Sequence, residues 1–111
     1  MIITGGRDYD GISMTSTEIF DLSTMTLKSG GDMTASRYRH GMGTITWKGK
    51  PTLVAFGGRV GLQKTYWSSV EAWDDSKETW SLLPDFNLNE PKMAFGYATL
   101  PTELLCSDMA K

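Results

Sequence analysis

The chain has 111 residues, 11 Lys plus Arg against 13 Asp plus Glu, one His, and a net charge of −2. A slightly acidic chain lacks the basic surface that nonspecific phosphate binding requires, so no nucleic-acid partner is expected. With 40% hydrophobic and 22% charged residues it reads as globular rather than as a disordered polyelectrolyte.

Its longest apolar runs, such as Leu53 to Phe56, fall far short of the roughly 20 residues that a membrane-crossing helix needs, and no membrane partner is expected. Met1-Ile2-Ile3 passes directly into Thr4-Gly5-Gly6 without the basic and apolar regions of a secretory leader. The one cysteine, Cys106, has no internal partner for a disulfide, and a reducing, cytoplasmic setting is favoured. Twelve Gly, four Trp, four Tyr and four Phe, with many Thr, suit short strands and tight turns, and no convincing helix is found.

In chain order, strands are expected at 1–6, 16–21 and 26–29, then at 40–47, 52–57, 69–74 and 79–83, and last at 94–100. These fall into repeats. Ile-Ile-Thr-Gly-Gly-Arg at 2–7 recurs as Val-Ala-Phe-Gly-Gly-Arg at 54–59, an offset of 52. Ser-Thr-Glu-Ile-Phe-Asp at 16–21 recurs as Ser-Val-Glu-Ala-Trp-Asp at 69–74, an offset of 53, so the loop between has gained one residue. At an offset of 53, residues 16–47 give eight identities, where average composition yields roughly two. That offset sets Thr26 with Thr79, Leu27 with Trp80 and Arg39 with Lys92.

Each unit has an apolar strand ending in a double glycine (Gly5-Gly6, Gly57-Gly58), a strand ending in Asp (Asp21, Asp74), and a strand led by Leu27 or Trp80. A double glycine at a strand end marks positive φ or an approach that a Cβ would block. The Asp residues stand before Ser and Thr in tight turns, and Trp80 and Leu27 are expected between adjacent sheets. With Arg37 leading the preceding strand, the pattern resembles the kelch repeat across nearly the whole chain. Leu27 departs from it, since the family carries Trp there.

The resemblance implies an all-β fold, a part of a kelch-type β-propeller built of antiparallel four-stranded blades. Residues 1–111 would form one such domain, with repeat units at about 1–36, 37–90 and 91–111: one complete blade flanked by two incomplete ones. About two blades cannot close a ring that needs four to eight. The expected reading is a fragment of a longer propeller, with self-association into a multi-chain ring as the alternative.

By resemblance to ubiquitin-ligase adaptors, the residues after each double glycine, Arg7 and Arg59, face the mouth of the central channel. Arg39, in Ser36-Arg37-Tyr38-Arg39-His40-Gly41, and its offset counterpart Lys92 join them there. Arg forks on a rigid rim offer bidentate bonds to carboxylates, while plain solvated side chains paired with Asp8, Asp10 or Glu90 are the competing reading. The loops 7–15 and 59–68 add aromatics, of which Tyr66 and Trp67 could touch a partner or shield the blade side.

The function expected is a noncatalytic protein-interaction module. Its partner would be a protein, with an acidic segment, a ubiquitin-ligase substrate or actin as candidates by resemblance. The alternatives are part of a galactose-oxidase-like enzyme or a truncated product without a function of its own. No cofactor and no metal site are expected: His40 alone cannot build a copper centre, Cys106 sits in apolar Leu104-Leu105-Cys106, and Asp74-Asp75 reads as a turn. The seven scattered Met serve packing.

Overall fold

The computed structural model describes residues 1–61 and 65–92. The strand expected at 94–100 and the thiol of Cys106 lie outside them. All regular structure among the described residues is β. Strands β1 (Ile2–Thr4), β2 (Thr17–Asp21) and β3 (Thr26–Ser29) form a three-stranded antiparallel sheet in that order. Strands β4 (Gly41–Trp47), β5 (Lys50–Phe56), β8 (Ser69–Asp74) and β9 (Thr79–Asn87) form a four-stranded antiparallel sheet. A small ribbon of β6 (Arg59–Val60) and β7 (Thr65–Tyr66), unforeseen in the sequence, rises from the loop between β5 and β8.

The two sheets are copies of one design. Ile2 pairs with Ile19 as Val54 pairs with Ala72, and Asp21 faces Thr26 as Asp74 faces Thr79. Both Asp residues close their hairpins in the same way. Asp21 accepts from the N–H and hydroxyl of Ser23 at 2.9 and 2.6 Å, and Asp74 from those of Ser76 at 3.0 and 2.6 Å. These bonds to the ionised form hold both carboxylates below their ordinary pKa. The turns leave through Met25 and Glu78, both left-handed with φ of 55° and 53°. The β4–β5 hairpin turns on Lys48-Gly49, whose two positive φ angles match the twist of a two-residue hairpin.

Strand alternation gives each sheet two faces. One face of the four-stranded sheet carries Ala55, Trp73 and Trp80, all buried, and it packs with Met33 against Ile2 and Ile19 of the three-stranded sheet. Its other face carries Val54, Ala72 and Leu83 beneath Trp47, Phe56 and Val70. The Trp73 and Trp80 rings lie 5.2 Å apart, tilted by 57°. Across the joint the Trp80 indole N–H donates to Thr17 Oγ1 at 2.9 Å.

Trp80 therefore fills the space between sheets as the sequence leads one to expect, and Leu27 does not. Leu27 is 55% exposed, because among the described residues no sheet stands against the face that it shares with Ile3, Glu18 and Phe20.

Candidate functional site

The connection from β3 to β4 holds the residues with the most chemistry. It contains no strand, so its backbone groups need other partners. Glu71, on the joint face of β8, supplies them: its carboxylate accepts from the N–H of Thr34 at 2.5 Å, the N–H of Ala35 at 3.3 Å and Arg37 Nε at 2.9 Å. The rest of the Arg37 guanidinium donates to Gly57 O at 2.8 Å, Ser69 O at 3.1 Å and Ser69 Oγ at 2.7 Å. Both side chains are fully buried, at 0% exposure. Burial pushes the Arg37 pKa down while its bond and attraction to Glu71 pull the other way.

This ion pair is the main feature that the sequence reading missed. One signal was available: glutamate stands at both Glu18 and Glu71, on a strand face otherwise given to apolar residues. Arg37 belongs to the structure, and Tyr38, Arg39 and His40 that follow it turn towards the loop end of the sheets.

Tyr38 is buried and pairs with Arg59 in an antiparallel bridge, Tyr38 N donating to Arg59 O at 3.1 Å and Arg59 N to Tyr38 O at 2.9 Å. Its hydroxyl donates to Gly61 O at 3.0 Å. The guanidinium of Arg7 lies 5.5 Å from the ring centroid and that of Arg59 6.0 Å. The structure thus brings the two arginines that follow the double glycines onto one aromatic platform. Neither the platform nor its role was read from the sequence. Gly58 makes the approach possible: it has φ of 95°, and a Cβ there would lie 2.7 Å from His40 Cβ and 3.0 Å from Tyr38 O.

Other candidates fall around this platform. Arg39, next in the chain, is exposed and left-handed, with φ of 53°. Trp67 is half-buried and donates from its indole N–H to Ser36 O at 2.8 Å, so it braces the connection as well as edging the loop face. Tyr66 is half-buried on β7. Asp8 is engaged by the N–H groups of Asp10 and Ile12, each at 2.9 Å.

Lys92 needs a correction. The constant offset of 53 made it the counterpart of Arg39, and the hydrogen bonds make it the counterpart of Arg37. Gly6 N donates to Arg37 O at 2.7 Å and Gly58 N to Lys92 O at 2.6 Å. Arg37 N donates to Met14 O and Lys92 N to Trp67 O, both at 3.1 Å. Met33 N reaches Thr15 O at 2.8 Å as Leu88 N reaches Ser68 O at 2.7 Å. The offset rises to 55 because β9 carries two additional residues, accommodated by an irregularity in its pairing with β8 between Ser69 and Glu71.

His40 packs against the double glycines, its Cε1 within 2.8 Å of where a Gly5 Cβ would stand. Its Nδ1 is the one buried side-chain N or O without a hydrogen-bond partner among the described residues. Burial first, then the charge of Arg37, hold its pKa below 6.5, against a smaller opposing pull from Glu71. The unfolded chain therefore binds a proton near pH 6.5 that the folded chain refuses. Stability is expected to be level above that pH and to fall as pH drops through it towards the folded pKa. Thermal melts between pH 8 and 5 check this. His40→Asn should flatten the slope in that window while leaving the steeper loss below about pH 4, where Asp21 and Asp74 protonate.

Among the described residues, no group of three or more His, Cys, Asp or Glu side chains is placed to hold a metal ion. A search of curated proteins returned no match. Residues 36–87 match the family model of the kelch motif. The match begins at the connection that holds Arg37 and ends with β9, so it covers the clamp and the four-stranded sheet together. That sheet with its connection is a kelch repeat, and the antiparallel all-β architecture of the described residues is consistent with part of a kelch propeller.

Proposed function

We propose that the chain is a noncatalytic protein-interaction module that holds an acidic segment of its partner on the loop face around Tyr38. The kelch repeat supplies the coarser part, since such repeats generally mediate contacts between proteins. The observation that carries the finer part is the pairing of two guanidinium groups, those of Arg7 and Arg59, on one buried tyrosine ring.

A cation against an aromatic face is held by about 0.5–1 kcal/mol at an exposed site, enough to limit the wandering of a long side chain. Two forks so restrained can each offer parallel N–H donors to a carboxylate. Arg39 extends the positive rim, and Tyr66 and Trp67 add aromatic surface beside it. Tyr38 itself acts as a positioning residue beneath the arginines.

The test is an array of Asp- and Glu-rich peptides probed with the whole chain at increasing salt. Binding is expected to weaken steadily with ionic strength, and Arg7→Ala and Arg59→Ala should each reduce affinity by about tenfold or more, as loss of a charged hydrogen bond implies. Tyr38→Leu should weaken it less. Retention of every peptide signal by the Arg7→Ala, Arg59→Ala double variant would remove the proposal.

A further inference from the structure

We propose that the unpaired edge of β4 takes an added strand from the partner: an extended, uncharged stretch of about seven residues, the length of β4 itself, with acidic residues at each end. Among the described residues β4 pairs on one side only, with β5. Its other side runs for seven residues, Gly-Met-Gly-Thr-Ile-Thr-Trp, without a charge, a proline or a break in register. Those are the devices by which proteins keep foreign strands off a sheet edge. The opposite edge of the same sheet has them, because β9 carries Pro84 and Asp85 and its pairing with β8 is irregular between Ser69 and Glu71. The sheet therefore guards one edge and leaves the other ready to pair.

The middle of β4 is open to water, and its bonding groups point outwards. Thr44, Ile45 and Thr46 are all exposed. In an antiparallel ladder alternate residues exchange bonds with the neighbouring strand, and a two-residue turn makes the pair that closes it a bonded one. Lys48-Gly49 is that turn and Trp47–Lys50 that pair, so Gly41, Gly43 and Ile45 also bond to β5. Met42, Thr44 and Thr46 between them direct their N–H and C=O groups to the unpaired side. Three donors and three acceptors at strand spacing are what an added strand requires.

Charge selects the occupant. β4 leaves the loop face directly behind Arg39 and His40 and ends at the turn flanked by Lys48 and Lys50, and Arg39, Lys48 and Lys50 are exposed. The Lys48 ammonium rests 5.7 Å from the centroid of the Trp47 ring. The edge is thus neutral along its length and positive at both ends, which suits a strand with acidic ends. It opposes a second copy of this chain. Pairing β4 with β4 sets Arg39 beside Arg39 in the parallel arrangement and beside Lys48 and Lys50 in the antiparallel one, with like charges adjacent either way. The proposal rests on the loop-face reading for its entry point alone: a segment held by Arg7 and Arg59 continues past Arg39 onto β4.

Two synthetic peptides test this on the 111-residue chain. One has alternating Thr and Val between two Asp-Glu ends, and the other is the same peptide N-methylated throughout the Thr-Val stretch, which keeps its charge and loses its donors. The first is expected to bind about tenfold or more tightly than the second by calorimetry. Its binding should slow amide exchange at Met42, Thr44 and Thr46 and leave Gly43 and Ile45 unchanged. Thr44→Pro, which removes an N–H on the unpaired side, should lower affinity by about tenfold with circular dichroism unaltered. Equal binding of the two peptides would overturn the proposal, as would unchanged exchange at the three amides. Protection of those amides in the free chain that grows with its concentration would put a second copy on the edge and overturn it as well. An Asp-Glu-Asp-Glu tetrapeptide, too short to form the strand, scores the loop face separately. If it binds through Arg7 and Arg59 while the two long peptides do not differ, the loop-face reading stands and the added strand fails. If the Arg7→Ala, Arg59→Ala double variant keeps the tetrapeptide signal while the first long peptide still protects β4, the reverse holds.

Discussion

Replacing Glu71 by Gln is expected to destabilise the fold by about 3–5 kcal/mol, measured as a lowered urea midpoint with an unchanged slope, because it strands the buried Arg37 guanidinium without its counter-charge. Domains of this size are stable by about 5–15 kcal/mol, so a loss of that magnitude removes a large share of the total. Arg37→Met removes the opposite partner and should cost a similar amount. Pairing Arg37→Met with Glu71→Leu should recover only part of the loss. An apolar pair can replace a buried ion pair, but the N–H groups of Thr34 and Ala35 would still lack their acceptor. A double variant as stable as the natural chain would show that these backbone bonds contribute nothing.

Trp80→Ala is expected to be the other severe change, at about 3–5 kcal/mol, the range for emptying a buried aromatic site. Trp80 is 6% exposed, packs its ring at a tilt against Trp73 and spans the joint to Thr17. Trp80→Phe should keep most of the packing and lose the indole bond to Thr17, for about 1 kcal/mol. Near- and far-ultraviolet circular dichroism separate the consequences: the near-ultraviolet signal of the tryptophan pair should collapse in Trp80→Ala before strand content does. Leu27→Ala, at the corresponding position of the other sheet, should barely alter a monomer because Leu27 is mostly in water.

The contrast between Trp80 and Leu27 marks what the sequence could and could not convey. Strand positions were legible because they depend on alternation and turn chemistry within a few residues. The expected 26–29 and 69–74 match β3 and β8, and 40–47 and 52–57 lie within two residues of β4 and β5. The last described strand runs on to Asn87, past Pro84 in an irregular stretch at the sheet edge where a missing N–H is tolerated.

The Arg37–Glu71 pair was not legible because its members are 34 residues apart and each resembles a surface residue when taken alone. The placement of Lys92 failed for a related reason: a fixed offset cannot register two residues gained inside β9. Of the candidate site, Arg7 and Arg59 were singled out through the double glycines that precede them. Tyr38, which unites them, shares no motif with either and is placed by a backbone bridge between distant segments.

The clamp also determines what can be copied as a unit. A sheet duplicated alone, from β4 to β9, would carry its glutamate but arrive without the connection that the glutamate binds. A segment beginning after Ser29 and ending with β9 carries both halves, and can be spliced behind any sheet that offers an apolar face of the Ile2 and Ile19 kind. The portable module thus begins ahead of its first strand, in residues that form no regular structure. Recombination that cuts neatly at the edges of the strands would separate the arginine from its glutamate.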